Sequence, residues 1–160
     1  LKNRFHIHEI SKYLVIDDTY NANPTSMQSA MKTINDWKDE RGRLVILGDM
    51  YDLGDHASEE HRKVINYALE MNNLKKLILV GDKFKNEIKE LSDKEIEKII
   101  LIENSVDNFP YIELTRESSI KSKGVVHRYF KSLVVKPADC TLALLHNTRA
   151  TGSLHFFKGL

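Results

Sequence analysis

The sequence predicts an α/β domain: a mainly parallel sheet with helices on both faces. Three observations predict it. Short apolar runs rich in Val, Ile and Leu recur at residues 13–16, 44–47, 77–80 and 99–102, and uninterrupted runs of this kind suit strands covered on both faces. Segments of helical period lie between them, and parallel strands need crossovers of that length. At 160 residues the chain is about one domain long, enough to bury most of its unfolded surface without disulfides or metals.

The elements follow in order. After the first run, residues 24–37 place Met27, Ala30, Met31, Ile34 and Trp37 on one helical stripe, with Asn23 as N-cap and Pro24 at the first helical position. A second helix over residues 58–71 turns Val64, Ile65, Ala68 and Leu69 inward and carries Glu59 and Glu60 in its first turn, where the helix dipole favours them. A third helix is expected over residues 83–91. Residues 104–123 are polar and weakly patterned and read as loop. Val125, Val126, Tyr129, Phe130 and Leu133 fit a last helix, followed by Pro137 and a strand-like run at residues 141–145. With no internal repeat, low-complexity tract or second domain, residues 1–160 read as one Rossmann-like unit.

Charge and cysteine content narrow the function classes. Lys and Arg total 24 against 23 for Asp and Glu, a formal charge of +1, so the basic excess that nucleic acid or an acidic membrane requires is missing. Neither is expected as a partner. The single cysteine, Cys140, has no intramolecular disulfide partner and is expected as a small core or strand residue. No charged-then-apolar leader and no long apolar span occurs, which leads to the expectation of a soluble, cytoplasmic protein. The chain opens on Leu1, and we expect it to be cut from something longer.

Two polar stretches follow strand-like runs. VIDDTYNANPTSM, residues 15–27, runs from a strand end into a helix start and crowds Asp17, Asp18, Asn21 and Asn23 together. Ligands of open parallel sheets bind beyond such strand ends. Turn chemistry is the competing explanation, because Asp and Asn bond neighbouring amides, tolerate left-handed conformations and cap helices. The second stretch, GDMYDLGD at residues 48–55, contains Gly-Asp-x-x-Asp, one element of the calcineurin-like metallophosphoesterases. No Asp-x-His or Gly-Asn-His accompanies it, so too few nitrogen ligands remain for two metals. His6 and His8 share a strand face, but such spacing more often marks surface residues than ligands. No metal site is expected.

Taken together, IDDTYNANPTSM and RLVILGDMYDLGDHASEEHRKV resemble the C-terminal domain of the Mur ligases, MurF type. The likeness covers residues 13–64 closely and continues through residues 75–81. Arg4 keeps the charge of the family's Gly-Arg pair at the junction between central and C-terminal domains, with Asn3 in place of the glycine. Near the end, Pro137, Asp139 and Arg149 match the family, whereas His146, Asn147 and Thr148 replace Lys-Gly-Ser.

The resemblance implies an ATP- and Mg2+-dependent amide ligation in which D-alanyl-D-alanine is joined to a UDP-N-acetylmuramoyl peptide. It implies nucleotide contacts for Arg4, Asp17, Asp18, Tyr20, Asn21 and Asn23, and substrate contacts for Gly48, Asp49, Met50 and Arg149. No catalytic residue is expected in this domain. The phosphate-binding loop and metal ligands would belong to a central domain, the partner over which this one closes; Gly-x-x-x-x-Gly-Lys-Ser/Thr does not occur here. Alternatives are a related Mur-type ligase with another amino-acid substrate and a non-catalytic nucleotide-binding or interaction module of the same fold. Tyr20 could pack on nucleotide or bury its ring against Trp37. His61 could touch substrate, but a partly exposed helix-face histidine is the commoner case.

Overall fold

A computed structural model describes residues 5–10, 13–18, 22–102, 111–114, 120–123 and 140–145. Strands β1 (His6–Ile10), β2 (Tyr13–Asp18), β3 (Gly42–Gly48), β4 (Leu74–Val80), β5 (Ile99–Ile102) and β8 (Cys140–Leu145) form one sheet in the order β1-β2-β8-β3-β4-β5. All neighbours run parallel except β1, which pairs antiparallel with β2 along His6–Asp17 to Ile10–Tyr13. The last strand thus returns to the middle and separates β2 from β3. The α/β, Rossmann-like expectation holds.

Helix α1 (Pro24–Asp36) starts as its sequence requires. Asn23 has extended backbone angles, its Oδ1 accepts the Ser26 N–H at 2.9 Å, and the Ser26 hydroxyl accepts the Asn23 N–H at 3.4 Å. This reciprocal cap satisfies donors that the first turn leaves without partners. Asn23→Ala should therefore lower unfolding free energy by about 1 kcal/mol in a urea titration, with Asn23→Asp close to wild type.

Helix α2 (Ala57–Leu69) follows a 3-10 turn at Gly54–His56 and packs on α1. Met27, Ala30, Met31 and Ile34 of α1 meet Val64, Ile65 and Ala68 of α2 over Ile16, Val45, Leu47, Leu77 and Leu79 of the sheet. Each such side chain, fully buried, contributes about 1.5–3 kcal/mol. Leu44, Ile46, Ile78 and Val80 on the opposite face are buried as well, which explains why these strands read as unbroken apolar runs. Leu69 and Trp37 are only partly buried at the edge of this core.

Arg43, near the start of β3, is 3% exposed. Its guanidinium donates to the carbonyls of Ile34 at 3.1 Å, Asn35 at 3.4 Å and Trp37 at 3.3 Å, and to that of Asn72. One planar cation thus serves the carbonyls that α1 leaves without partners at its end and pins them to the turn before β4.

Two expectations change. In place of a helix over residues 83–91 there are two 3-10 turns, Asp82–Phe84 and Glu87–Glu90, followed by the short helix α3 (Asp93–Ile96). Glu87 is buried where a helix-face carboxylate would be exposed, accepting from the Ser58 hydroxyl at 2.8 Å and from Arg62 at 3.4 Å. The stretch read as loop holds strands β6 (Tyr111–Leu114) and β7 (Ile120–Lys123), paired antiparallel in a separate sheet. The helix expected from Val125 to Leu133 lies outside the described residues, as do Pro137 and His146, Asn147 and Thr148.

Candidate functional site

Strands β2, β3 and β4 run the same way, so the segments that leave them meet at one edge of the sheet, where open parallel sheets hold ligands. Asp17 and Asp18 close β2. The Asp18 carboxylate, half-buried, accepts the Phe5 N–H at 3.3 Å, and Phe5 itself sits in the left-handed region at φ 46. Asn23 stands at the start of α1 with its Oδ1 committed to the cap. Arg4, Tyr20, Asn21 and Arg149 lie outside the described residues.

The β3 exit turns inward. Gly48 is buried at the strand end, Asp49 is 7% exposed and Met50 is 0% exposed within the core. The Met50 side chain thus faces the interior, and only its backbone belongs to the rim. Asp49 donates its N–H to the Val80 carbonyl at 3.0 Å, tying the β3 and β4 exits together. Its carboxylate packs onto the backbone of Gly81, where an added Cβ would stand 2.1 Å from Asp49 Cγ. Asp49 Oδ2 accepts the Lys83 N–H at a long 3.4 Å, and Oδ1 is buried with no hydrogen-bond partner.

His61 is 0% exposed, which overturns the expectation of a partly exposed helix-face histidine. Its Nδ1 lies 2.6 Å from the Ala57 carbonyl and its Nε2 lies 3.0 Å from the Met50 N–H. A carbonyl only accepts and an amide N–H only donates, so His61 is the neutral tautomer with its proton on Nδ1. The ring meets Phe84 edge to face at 4.8 Å. Burial lowers the His61 pKa, the nearby Lys83 charge lowers it further, and Ala57 and Glu87 oppose that shift. Beyond it, the Lys83 ammonium lies 5.6 Å from the centre of the Tyr51 ring, a cation held at the rim.

Burial also pushes the Asp49 carboxyl up to about 6, against the lowering effect of Lys83. An acid whose pKa is raised on folding binds its proton more tightly in the folded state. Ionised Asp49 therefore costs stability above about pH 6, and the cost disappears once both states are protonated, below about pH 4. Asp49→Asn should stabilise the chain by about 1 to 3 kcal/mol at pH 8, with the gain fading between those limits. Urea titrations across pH measure it directly.

Gly81, Lys83 and Tyr51 have no place in the sequence-derived site, and His61 enters it only as a possible substrate contact, set below a partly exposed helix-face histidine. For His61 a signal existed: it stands three, four and seven residues before Val64, Ile65 and Ala68, on the buried stripe. Nothing local marks the contact of Asp49 with Gly81, which tertiary pairing alone creates.

A family model described as Mur ligase, glutamate ligase domain matches residues 3–121. The chain belongs to this Mur ligase family. Among its relatives, a UDP-N-acetylmuramoyl-tripeptide--D-alanyl-D-alanine ligase of Rickettsia prowazekii is 32% identical over 120 residues, 71% of this chain and 26% of that protein. The ligase of the same name from Borreliella burgdorferi is 29% identical over 108 residues, 68% of this chain and 23% of that protein. The Mur ligase domain thus spans about a quarter of the length of these relatives. Among solved structures, MurF from Acinetobacter baumannii superposes with a TM-score of 0.70 at 20% identity, over 98% of this chain and 30% of that one. MurF from Thermotoga maritima in complex with ADP gives 0.59 at 19% identity, over 95% and 29%. At such identities the structural likeness is one of fold, and it agrees with the MurF-type resemblance of the two motifs.

Within the Mur ligase domain no group of three or more His, Cys, Asp or Glu side chains among the described residues is placed to hold a metal ion. Asp49 and His61 come together, but their nearest polar atoms are 3.9 Å apart and His61 already uses both nitrogens. No helix among the described residues is long and apolar enough to cross a membrane.

Proposed function

We propose that this chain is the C-terminal domain of an ATP-dependent ligase that joins D-alanyl-D-alanine to a UDP-N-acetylmuramoyl tripeptide. The observation that carries the proposal is the position of both family motifs at the carboxyl ends of parallel strands, on the one edge of the sheet where ligands bind. The names of the relatives support the choice of substrates.

When bound, ATP supplies the phosphoryl group that activates the acceptor carboxylate towards the incoming amine. The residues here bind and orient. Asp18, with Asp17, Arg4, Tyr20, Asn21 and Asn23, forms the nucleotide side of the closing domain. Gly48 and the backbone of Asp49 and Met50, with Arg149, form the side that seats the dipeptide. The phosphate-binding loop and magnesium ligands belong to the central domain of the same enzyme, whose closure against this rim excludes water. The cytoplasmic setting expected from the sequence accompanies this assignment, with neither nucleic acid nor membrane as partner.

The test is ADP release by the complete ligase with UDP-N-acetylmuramoyl tripeptide and D-alanyl-D-alanine. Turnover should require both substrates and be absent from residues 1–160 alone. Asp18→Ala should lower kcat/KM about tenfold or more, since losing one charge-assisted contact costs about 1.5–3 kcal/mol. A complete enzyme that uses a different amino acid, or none, would end the proposal.

A further inference from the structure

We propose that His61 and Asp49 are positioning residues that set the exit of β3 through one shared proton. His61 Nε2 accepts the Met50 N–H at 3.0 Å, and 3.9 Å from that same nitrogen stands Asp49 Oδ1, buried and without a partner. Two acceptors thus face each other across a gap that holds no proton. An ionised carboxylate oxygen in that state is costly, and a single added proton relieves it.

The proton comes from solvent: an O–H bond of hydronium breaks as the O–H bond on Asp49 Oδ1 forms. When that O–H closes the 3.9 Å gap and donates to His61 Nε2, it takes the lone pair that Met50 uses. The Met50 N–H loses its acceptor, and the β3 exit that it anchors shifts. His61 Nδ1 stays on the Ala57 carbonyl in both states, so the ring turns about a fixed end.

Among the described residues the charged surroundings come from two elements. In the turn after β4, Lys83 favours the Asp49 anion and opposes a His61 cation, whereas Asp82 opposes the Asp49 anion through its charge and favours it through its backbone N–H. In the following turn Glu87 favours a His61 cation. The Phe84 ring closes the side of the imidazole. Burial pushes the Asp49 carboxyl up to about 6 and the His61 imidazole down, so the added proton sits on Asp49, whose Oδ1 stands 3.9 Å from His61 Nε2.

The consequence for turnover rests on the ligase proposal; the proton linkage itself does not. Nitrogen-15 NMR of residues 1–160 between pH 8 and pH 5 should show His61 protonated on Nδ1 at pH 8 and a Met50 amide signal that moves with the ring as pH falls. In Asp49→Asn that coupled movement should vanish. A Met50 amide that stays still, or that titrates identically in Asp49→Asn, overturns the linkage. In the complete ligase, kcat/KM for the amine substrate should fall about tenfold per pH unit on an acid limb near the NMR midpoint, and Asp49→Asn should remove that limb. A purely structural role would change melting temperature and leave the limb in place, overturning the positioning role. Absence of turnover in the wild-type enzyme would count against the ligase proposal and not against the NMR result.

Discussion

Arg43→Ala should be among the most destabilising single substitutions in this domain, at about 4 kcal/mol. Four carbonyls, those of Ile34, Asn35, Trp37 and Asn72, receive the guanidinium. Alanine removes the donor, stranding the Ile34 carbonyl in a buried site and leaving the other three at half-buried positions with water as their only substitute. Each buried acceptor stranded in this way costs about 1 to 3 kcal/mol, with partial relief where the end of α1 frays. Arg43→Lys separates charge from geometry. An ammonium keeps the cation near the helix C-terminus but cannot reach carbonyls on α1 and on the turn before β4 together, so about half the loss should remain. Urea titrations of residues 1–160 measure both. Arg43 lies at the opposite end of β3 from Gly48, so the β3 exit keeps its Met50 to His61 hydrogen bond in whatever fraction stays folded. Equal stability of the lysine variant and wild type would show that charge alone matters.

What the sequence discloses depends on whether the cause is local. The cap of α1 was legible because Asn23, Pro24 and Ser26 act within one turn, and the buried strands because coverage on both faces forces unbroken apolar runs. The third helix misled for a physical reason. Phe84, Glu87, Ile88 and Leu91 recur at spacings of three and four, a pattern that successive 3-10 turns share with an α-helix. Residues 111–114 and 120–123 are runs of four, too short to announce a hairpin, and no Asn-Gly or Asp-Gly turn lies between them. Insertion of β8 between β2 and β3 leaves no periodic trace, because strand order is a matter of long-range pairing. The site divides in the same way. Its motif residues could be named, but the inward turn of Asp49 and Met50 depends on His61 and Gly81, which the chain brings up from α2 and β4.

That inward turn makes Gly81→Ala the second large effect, again about 4 kcal/mol. Gly81 has φ 122 and ψ 165, a conformation that costs an L-residue about 1 to 3 kcal/mol. A methyl group there would also stand 2.1 Å from Asp49 Cγ and 2.2 Å from Oδ2. Neither atom can retreat easily, since the carboxylate is walled in by His61, Lys83 and the β3 exit, and such overpacking costs about 1 to 3 kcal/mol more. The two causes can be divided by a double-mutant cycle. Asp49→Ala removes Cγ and both oxygens but leaves the backbone angles of Gly81 as they are, so Gly81→Ala in that background should retain the conformational cost and lose the steric one. Coupling of about 1 to 3 kcal/mol is expected, read from urea titrations at pH 8, where the Asp49 anion is fully formed. If Gly81→Ala costs the same with and without the Asp49 side chain, the carboxylate does not lie against Gly81, and the buried pairing of Asp49 with His61 that depends on that placement fails with it.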